Sequence, residues 1–99
     1  MTAKLQARPP KHLAKATKHW FKSVVNRYNL TEEHIRLLTL AAEARDRAEQ
    51  AREILAVEGI QRPDRFGIKQ THPCVSIERD SRISYARLMR ELNLKAGTP

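Results

Sequence analysis

From Glu32 to Glu58 the chain runs 27 residues without a glycine or a proline. Nothing in that stretch interrupts an α-helix, and both ends carry boundary chemistry. Thr31 can accept a free backbone N–H through its hydroxyl. Glu32 and Glu33 place negative charge at the positive end of the helix dipole. Gly59 supplies the stop. Such a helix is about 40 Å long at ~1.5 Å per residue. In a chain of 99 residues, a rod of that length dictates the architecture. The remaining sequence can lie along it but cannot enclose it, so the fold class is mainly all-α, a three-helix domain with a long central helix.

The central helix carries a seam. Leu37, Ala41, Ala44, Ala48, Ala51 and Leu55 recur at alternating steps of four and three, the spacing that keeps one stripe facing a partner helix. Its middle is all alanine, which lets a second helix approach closely. The seam is a candidate oligomer interface, because the helix is longer than the rest of the fold can cover. Packing against the chain's own third helix is the alternative. Arg45, Asp46, Arg47, Glu49, Arg52 and Glu53 cover the other faces as a solvated surface, with Glu43–Arg47 and Glu49–Arg52 as favourable pairs.

Flanking elements follow the same periodicity. Leu13, Thr17, Trp20, Val24 and Tyr28 form one stripe, widened by Phe21 and Val25, and predict a first helix over about 13–28. Trp20 and Phe21 are its expected core anchors. Residues 59–72 form a connector rich in turn formers (Pro63-Asp64 and Gly67), with a short β-hairpin around Ile60 and Phe66–Ile68. Pro73 suits the start of a third helix. Cys74, Ile77, Ser81, Tyr85, Leu88 and Leu92 line one face of that helix, which ends near Leu94. Residues 1–12 read as a flexible basic arm, 13–94 as a single helical domain, and 95–99 as a loose C-terminal tail.

Charge is distributed unevenly. The net charge is +8, from 19 Lys and Arg against 11 Asp and Glu. Lys4, Arg8, Lys11, Lys15, Lys18, Lys22 and Arg27 all fall in the first 27 residues, which contain no acid. The rest of the chain is close to neutral. From Arg8 to Lys22 the cations recur at helical steps of three and four. They make a positive ridge of the kind that binds phosphates by releasing counterions. These seven residues are the candidate DNA-binding set. A merely solvated tail and an acidic membrane surface are the competing readings, though a membrane helix would carry more exposed Leu or Phe.

Other chemistry finds little support. No glycine loop that could cradle a phosphate is present, and no serine lies in a nucleophile-elbow context. His72-Pro73-Cys74 faintly suggests a metal pair, but zinc needs three or four ligands and no second pair exists at suitable spacing. We therefore expect no enzyme activity, no metal and no cofactor. Cys74 is the single cysteine, which excludes an internal disulfide and fits a reducing intracellular compartment. No apolar run is long enough to span a membrane.

Several features taken together resemble the small terminase subunits of tailed bacteriophages. They are Trp20 in the first helix, Leu30-Thr31-Glu32 opening the second, and Glu58-Gly59-Ile60 closing it. Phe66-Gly67 follows in the connector, then the run from His72-Pro73-Cys74 to Glu78-Arg79, and last Leu92-Asn93-Leu94. The likeness covers about residues 13–94, with His72 standing where such proteins usually carry Asn. It implies a DNA-packaging role in the cytoplasm of a bacterial host. In that role a homo-oligomeric ring binds double-stranded viral DNA at the packaging site. It presents the DNA to the large terminase subunit, which holds the ATPase and nuclease chemistry. A nucleic-acid-binding regulator or ribosome-associated factor is the alternative.

Overall fold

The computed structural model describes residues 7–94. Three helices and one hairpin follow in the order α1 (Lys15–Arg27), α2 (Glu32–Glu58), β1 (Gln61–Pro63), β2 (Lys69–Thr71) and α3 (Cys74–Leu92). The mainly helical class, the long central helix and the hairpin between the second and third helices all agree with the sequence reading.

The boundaries of α2 arise as its sequence dictates. The Thr31 hydroxyl accepts the His34 backbone N–H at 3.2 Å, and the His34 ring Nδ1 accepts the Thr31 N–H at 3.2 Å. Two free donors of the first turn are thus satisfied reciprocally. At the far end Gly59 adopts φ +83° and donates its N–H to the Leu55 carbonyl. A side chain there would be strained.

Beyond Gly59 the chain turns back through the antiparallel pair β1–β2, with Gln61 opposite Thr71, Arg62 opposite Gln70 and Pro63 opposite Lys69. Asp64 organises the connecting loop. Its Oδ1 accepts the N–H groups of Phe66 and Ile68 at 2.8 and 2.9 Å, and its Oδ2 accepts from the Gln70 amide. His72 then starts α3. Its Nδ1 accepts the Cys74 N–H at 3.0 Å while its Nε2 meets Glu58 Oε1 at 2.9 Å. Nδ1 is therefore the acceptor and Nε2 carries the proton that Glu58 receives. With both ring nitrogens so engaged, the residue suggestive of a metal ligand is a helix cap and a strut back to α2. Asn93, in the left-handed region at φ 49°, closes α3.

α3 runs antiparallel along α2 and is its principal neighbour. The register shows at both ends: His72 meets Glu58 at the hairpin end, and Leu92 shares a core with Leu38 at the other. Between them, Arg52 has Glu78 of α3 close enough to act on its charge. The hydrogen bond that Arg52 donates to Glu49 and the charge of that carboxylate, aided by Glu53 and Glu78, hold the guanidinium above its ordinary pKa.

The alanine seam faces inward. Ala41, Ala44 and Ala51 are buried within the single chain, and Leu37, Ala48 and Leu55 are half-buried. The candidate interface is thus occupied by the chain's own helices. The reason is geometric: α3 is 19 residues long, and the hairpin lets it double back along the full distal half of α2. The faces α2 and α3 leave open are instead marked by Leu40, Ile54 and Val57, and by Ile77 and Ile83.

α1 covers only the proximal half of α2. There Phe21, Val24, Leu38 and Leu92 are the largest fully buried side chains, joined by Leu13, Val25, Leu30 and Ala42. Phe21 is the deep anchor, whereas Trp20 is half-buried at the junction of three helices. Its ring lies 6.0 Å from that of Tyr85, with the Arg45 guanidinium 5.6 Å from its centroid. The distal half is a two-helix arm ending in the hairpin. The molecule measures 66 × 23 × 19 Å with a radius of gyration of 17.1 Å, against about 13 Å for a compact domain of this length.

Candidate nucleic-acid interface

α1 is a poor helix start on its own terms. Its N-cap position is Ala14, which has no side chain to bond the free amides, and its first turn has no acid. The missing cap comes from α2. Asp46 Oδ2 accepts the Ala14 N–H at 2.7 Å and Oδ1 accepts the Thr17 hydroxyl. Asp46 is 8% exposed, so the sequence reading that placed it on a solvated face is corrected. A carboxylate on a helix N-terminus gains from both the hydrogen bonds and the dipole. It also fixes where the lysines of α1 point.

The segment before α1 is also docked. Residues 7–12, expected as part of a flexible arm, turn at Pro10, whose carbonyl accepts the Leu13 N–H. Ala7 packs against the core, and His12 Nε2 meets Glu43 Oε2 at 2.8 Å. Glu43 therefore pairs with His12 and not with Arg47, while the expected Glu49–Arg52 pair is present at 2.8 Å.

With that scaffold, Arg8, Lys11, Lys15 and Lys22 are exposed and Lys18 is half-buried. Lys18 sits nearer the core stripe than Lys15 and Lys22, so the lysines of α1 flank that stripe. Among the described residues none of these five cations has a carboxylate within ion-pair distance. Arg27 lies apart at the end of α1, over the Tyr28 ring. Lys4 falls outside the described residues. Lys15, Lys18 and Lys22 thus share α1, Arg8 and Lys11 lie in the docked segment before it, where the expected helical steps do not continue, and Arg27 lies at the far end of α1.

Elsewhere cations are partly neutralised. Arg36 pairs with Glu32, Arg79 with Asp80 and Arg82 with Glu78. A cleft of about 550 Å³ between the start of α1 and the middle of α2 is lined by Arg45 together with Asp46, Glu49 and Glu53. Its carboxylates make it repellent to phosphate. Among the described residues no group of three or more His, Cys, Asp or Glu is placed to hold a metal, and no helix is long and apolar enough to cross a membrane.

A second group of exposed cations, Arg62, Arg65 and Lys69, sits at the hairpin. Counting charge over the near-neutral remainder of the chain concealed it. The signal in the sequence was local: three cations bracketing the turn formers Pro63, Asp64 and Gly67.

Comparison with known proteins adds no relative from which a role can be carried over: no protein-family model, no curated protein and no solved structure matches the chain.

Proposed function

We propose that the chain is a DNA-binding subunit of a phage packaging machine, a small terminase subunit that engages double-stranded viral DNA and presents it to the large subunit. The observation that carries the DNA-binding part is the cluster of Arg8, Lys11, Lys15, Lys18 and Lys22, held on a docked scaffold without an acidic partner among the described residues. A folded protein normally spends surface cations on nearby acids or leaves them interspersed with acids. Cations left without such partners are suited to a polyanion.

The packaging part rests on the family likeness of residues 13–94, and it assigns the chain no chemical step of its own. It also asks for self-assembly. With the alanine seam occupied internally, the surfaces suited to that are the exposed apolar positions of α2. Leu40 and Ile54 are two heptads apart and so share one line along α2, beside Val57.

The test combines two readouts. Native mass spectrometry of the purified chain should show a closed ring of several copies. Anisotropy titration should show duplex binding that weakens steeply with salt. A monomer that binds DNA would favour a regulator or ribosome-associated factor. A chain that binds no nucleic acid at low salt would remove both readings.

A further inference from the structure

The hairpin at the end of the arm projects three cations and an aromatic ring into solvent. Arg62, Arg65 and Lys69 are exposed, and Phe66 is 73% exposed with the Arg65 guanidinium 5.0 Å from its ring centroid. Ile60 and Ile68 are also exposed, at 65% and 62%, so the ring is one of three large apolar side chains that the tip leaves in solvent; several such residues together mark a contact surface. The loop carrying Phe66 is preorganised, because Asp64 accepts two backbone amides and the Gln70 side chain, and Gly67 takes φ +80°.

The sign of the partner follows from the acids. The tip segment between Glu58 and Pro73 contains two carboxylates, and both are committed: Asp64 inside the loop, Glu58 to the His72 ring. Arg62, Arg65 and Lys69 have no carboxylate within ion-pair distance among the described residues. The tip is therefore a net cationic surface that also exposes Ile60, Phe66 and Ile68.

Its shape narrows the class. The pairing of Gln61 with Thr71 and of Pro63 with Lys69 places those four residues on one face of the ribbon, and Arg62 with Gln70 on the other. Both faces mix amide or hydroxyl groups with a cation. Sinking them into lipid would bury several polar groups without partners. A two-stranded ribbon instead fits the DNA major groove, where amides and cations meet base edges and phosphates.

We propose that the β1–β2 tip is a second DNA contact, separate from the α1 ridge, in which Arg62, Arg65 and Lys69 touch phosphates and Phe66 packs against the groove. This rests on the reading that the chain binds DNA. The tip sits at the far end of the arm from the three-helix core, so the two contacts lie apart on the bound molecule.

The test is the salt dependence of duplex binding by the full chain, read by anisotropy. The triple variant Arg62→Gln, Arg65→Gln, Lys69→Gln removes only exposed side chains, and its thermal melt should match the unmodified chain. The slope of log K against log salt should fall by about 0.9 for each phosphate that the tip no longer neutralises. Phe66→Ala should weaken binding several-fold at unchanged slope, because the ring it removes is uncharged.

If the unmodified chain binds and the triple variant keeps its slope and affinity, the tip contact is wrong and the DNA-binding reading stands. If the unmodified chain shows no salt-dependent binding, the reading itself fails and takes the tip with it. If the triple variant binds duplex normally but loses binding to phosphatidylserine vesicles, the tip is a membrane contact and the proposal is overturned.

Discussion

The two halves of α2 are covered in different ways. Along the proximal half, α1 and α3 both pack, and the buried side chains are large: Phe21, Val24, Leu38 and Leu92. Along the distal half only α3 packs, and the buried positions are Ala51, Ser81 and, at the hairpin, His72, while Ile54, Val57 and Ile77 face solvent. Small residues let two helices approach closely but bury little apolar area. The proximal end therefore supplies most of the stability, and the arm is held by its close approach and by the struts at its tip. A rod with one heavy end and one light end can carry two separate contact surfaces, and the free cations lie at both.

That contrast predicts an order of mutational effects. Leu38→Ala opens a cavity in the three-helix core, and should cost about 3 kcal/mol. In a chain this small the whole cooperative unfolding transition should move, read by urea denaturation. A reduction smaller than about 1 kcal/mol, well below the usual range for such a truncation, would mean the core is not concentrated there.

Asp46→Ala should cost about 2 kcal/mol, since it removes a charged cap and leaves the buried Thr17 hydroxyl and the Ala14 N–H without their acceptor. Its distinguishing readout is α1. Hydrogen exchange should accelerate over Lys15–Arg27 more than over α3, and DNA affinity should fall even though every cation is retained. Uniform acceleration across all helices would show that Asp46 supports the core generally and does not pin α1.

Ala44→Leu overfills the contact between helices and should lower stability by about 1–2 kcal/mol. The seam is internal, so the variant should keep whatever assembly state the unmodified chain has in native mass spectra. A variant that melts normally but falls apart into monomers would return the seam to the subunit interface.

His72→Ala should have the smallest effect, about 1 kcal/mol, confined to the arm. It removes the acceptor for the Cys74 N–H and the link to Glu58, so exchange should rise in the hairpin and the first turn of α3. His72→Asn should recover the cap, because an Asn carbonyl can take the same N–H. It is too short to restore the strut. The two variants thus separate the capping role, which Asn can share, from the reach to Glu58, which it cannot.

How much of this was legible in the sequence depends on whether a residue's role is local. Thr31 and Gly59 are set by near neighbours, and each is where the pattern puts it. The three helices fall close to their expected ranges. The strands of the hairpin, Gln61–Pro63 and Lys69–Thr71, lie just beyond the apolar pieces around Ile60 and Phe66–Ile68, and Ile77 of the expected α3 stripe is exposed. The role of Asp46 is set by residues about thirty positions away. An acid among Arg45, Arg47 and Glu49 looks like any solvated charge. The seam posed the same difficulty: a heptad stripe says that a helix will be covered, not by which helix. The ridge of lysines was visible as composition, but its isolation from acids depends on Glu43 turning to His12 and Asp46 turning to α1. The tip cations were averaged away by acids that lie elsewhere along the chain.

The central claim is that the α1 ridge binds DNA through its phosphates. The most direct measurement compares the unmodified chain with the variant Lys11→Gln, Lys15→Gln, Lys18→Gln, Lys22→Gln in duplex titrations across a salt series. All four lysines lie outside the buried core, so the helical circular dichroism should be retained. The slope of log K against log salt should shrink by about 0.9 for every lysine that touched a phosphate, with affinity falling similarly on unrelated sequences. An unchanged slope and affinity in a correctly folded variant would contradict the claim.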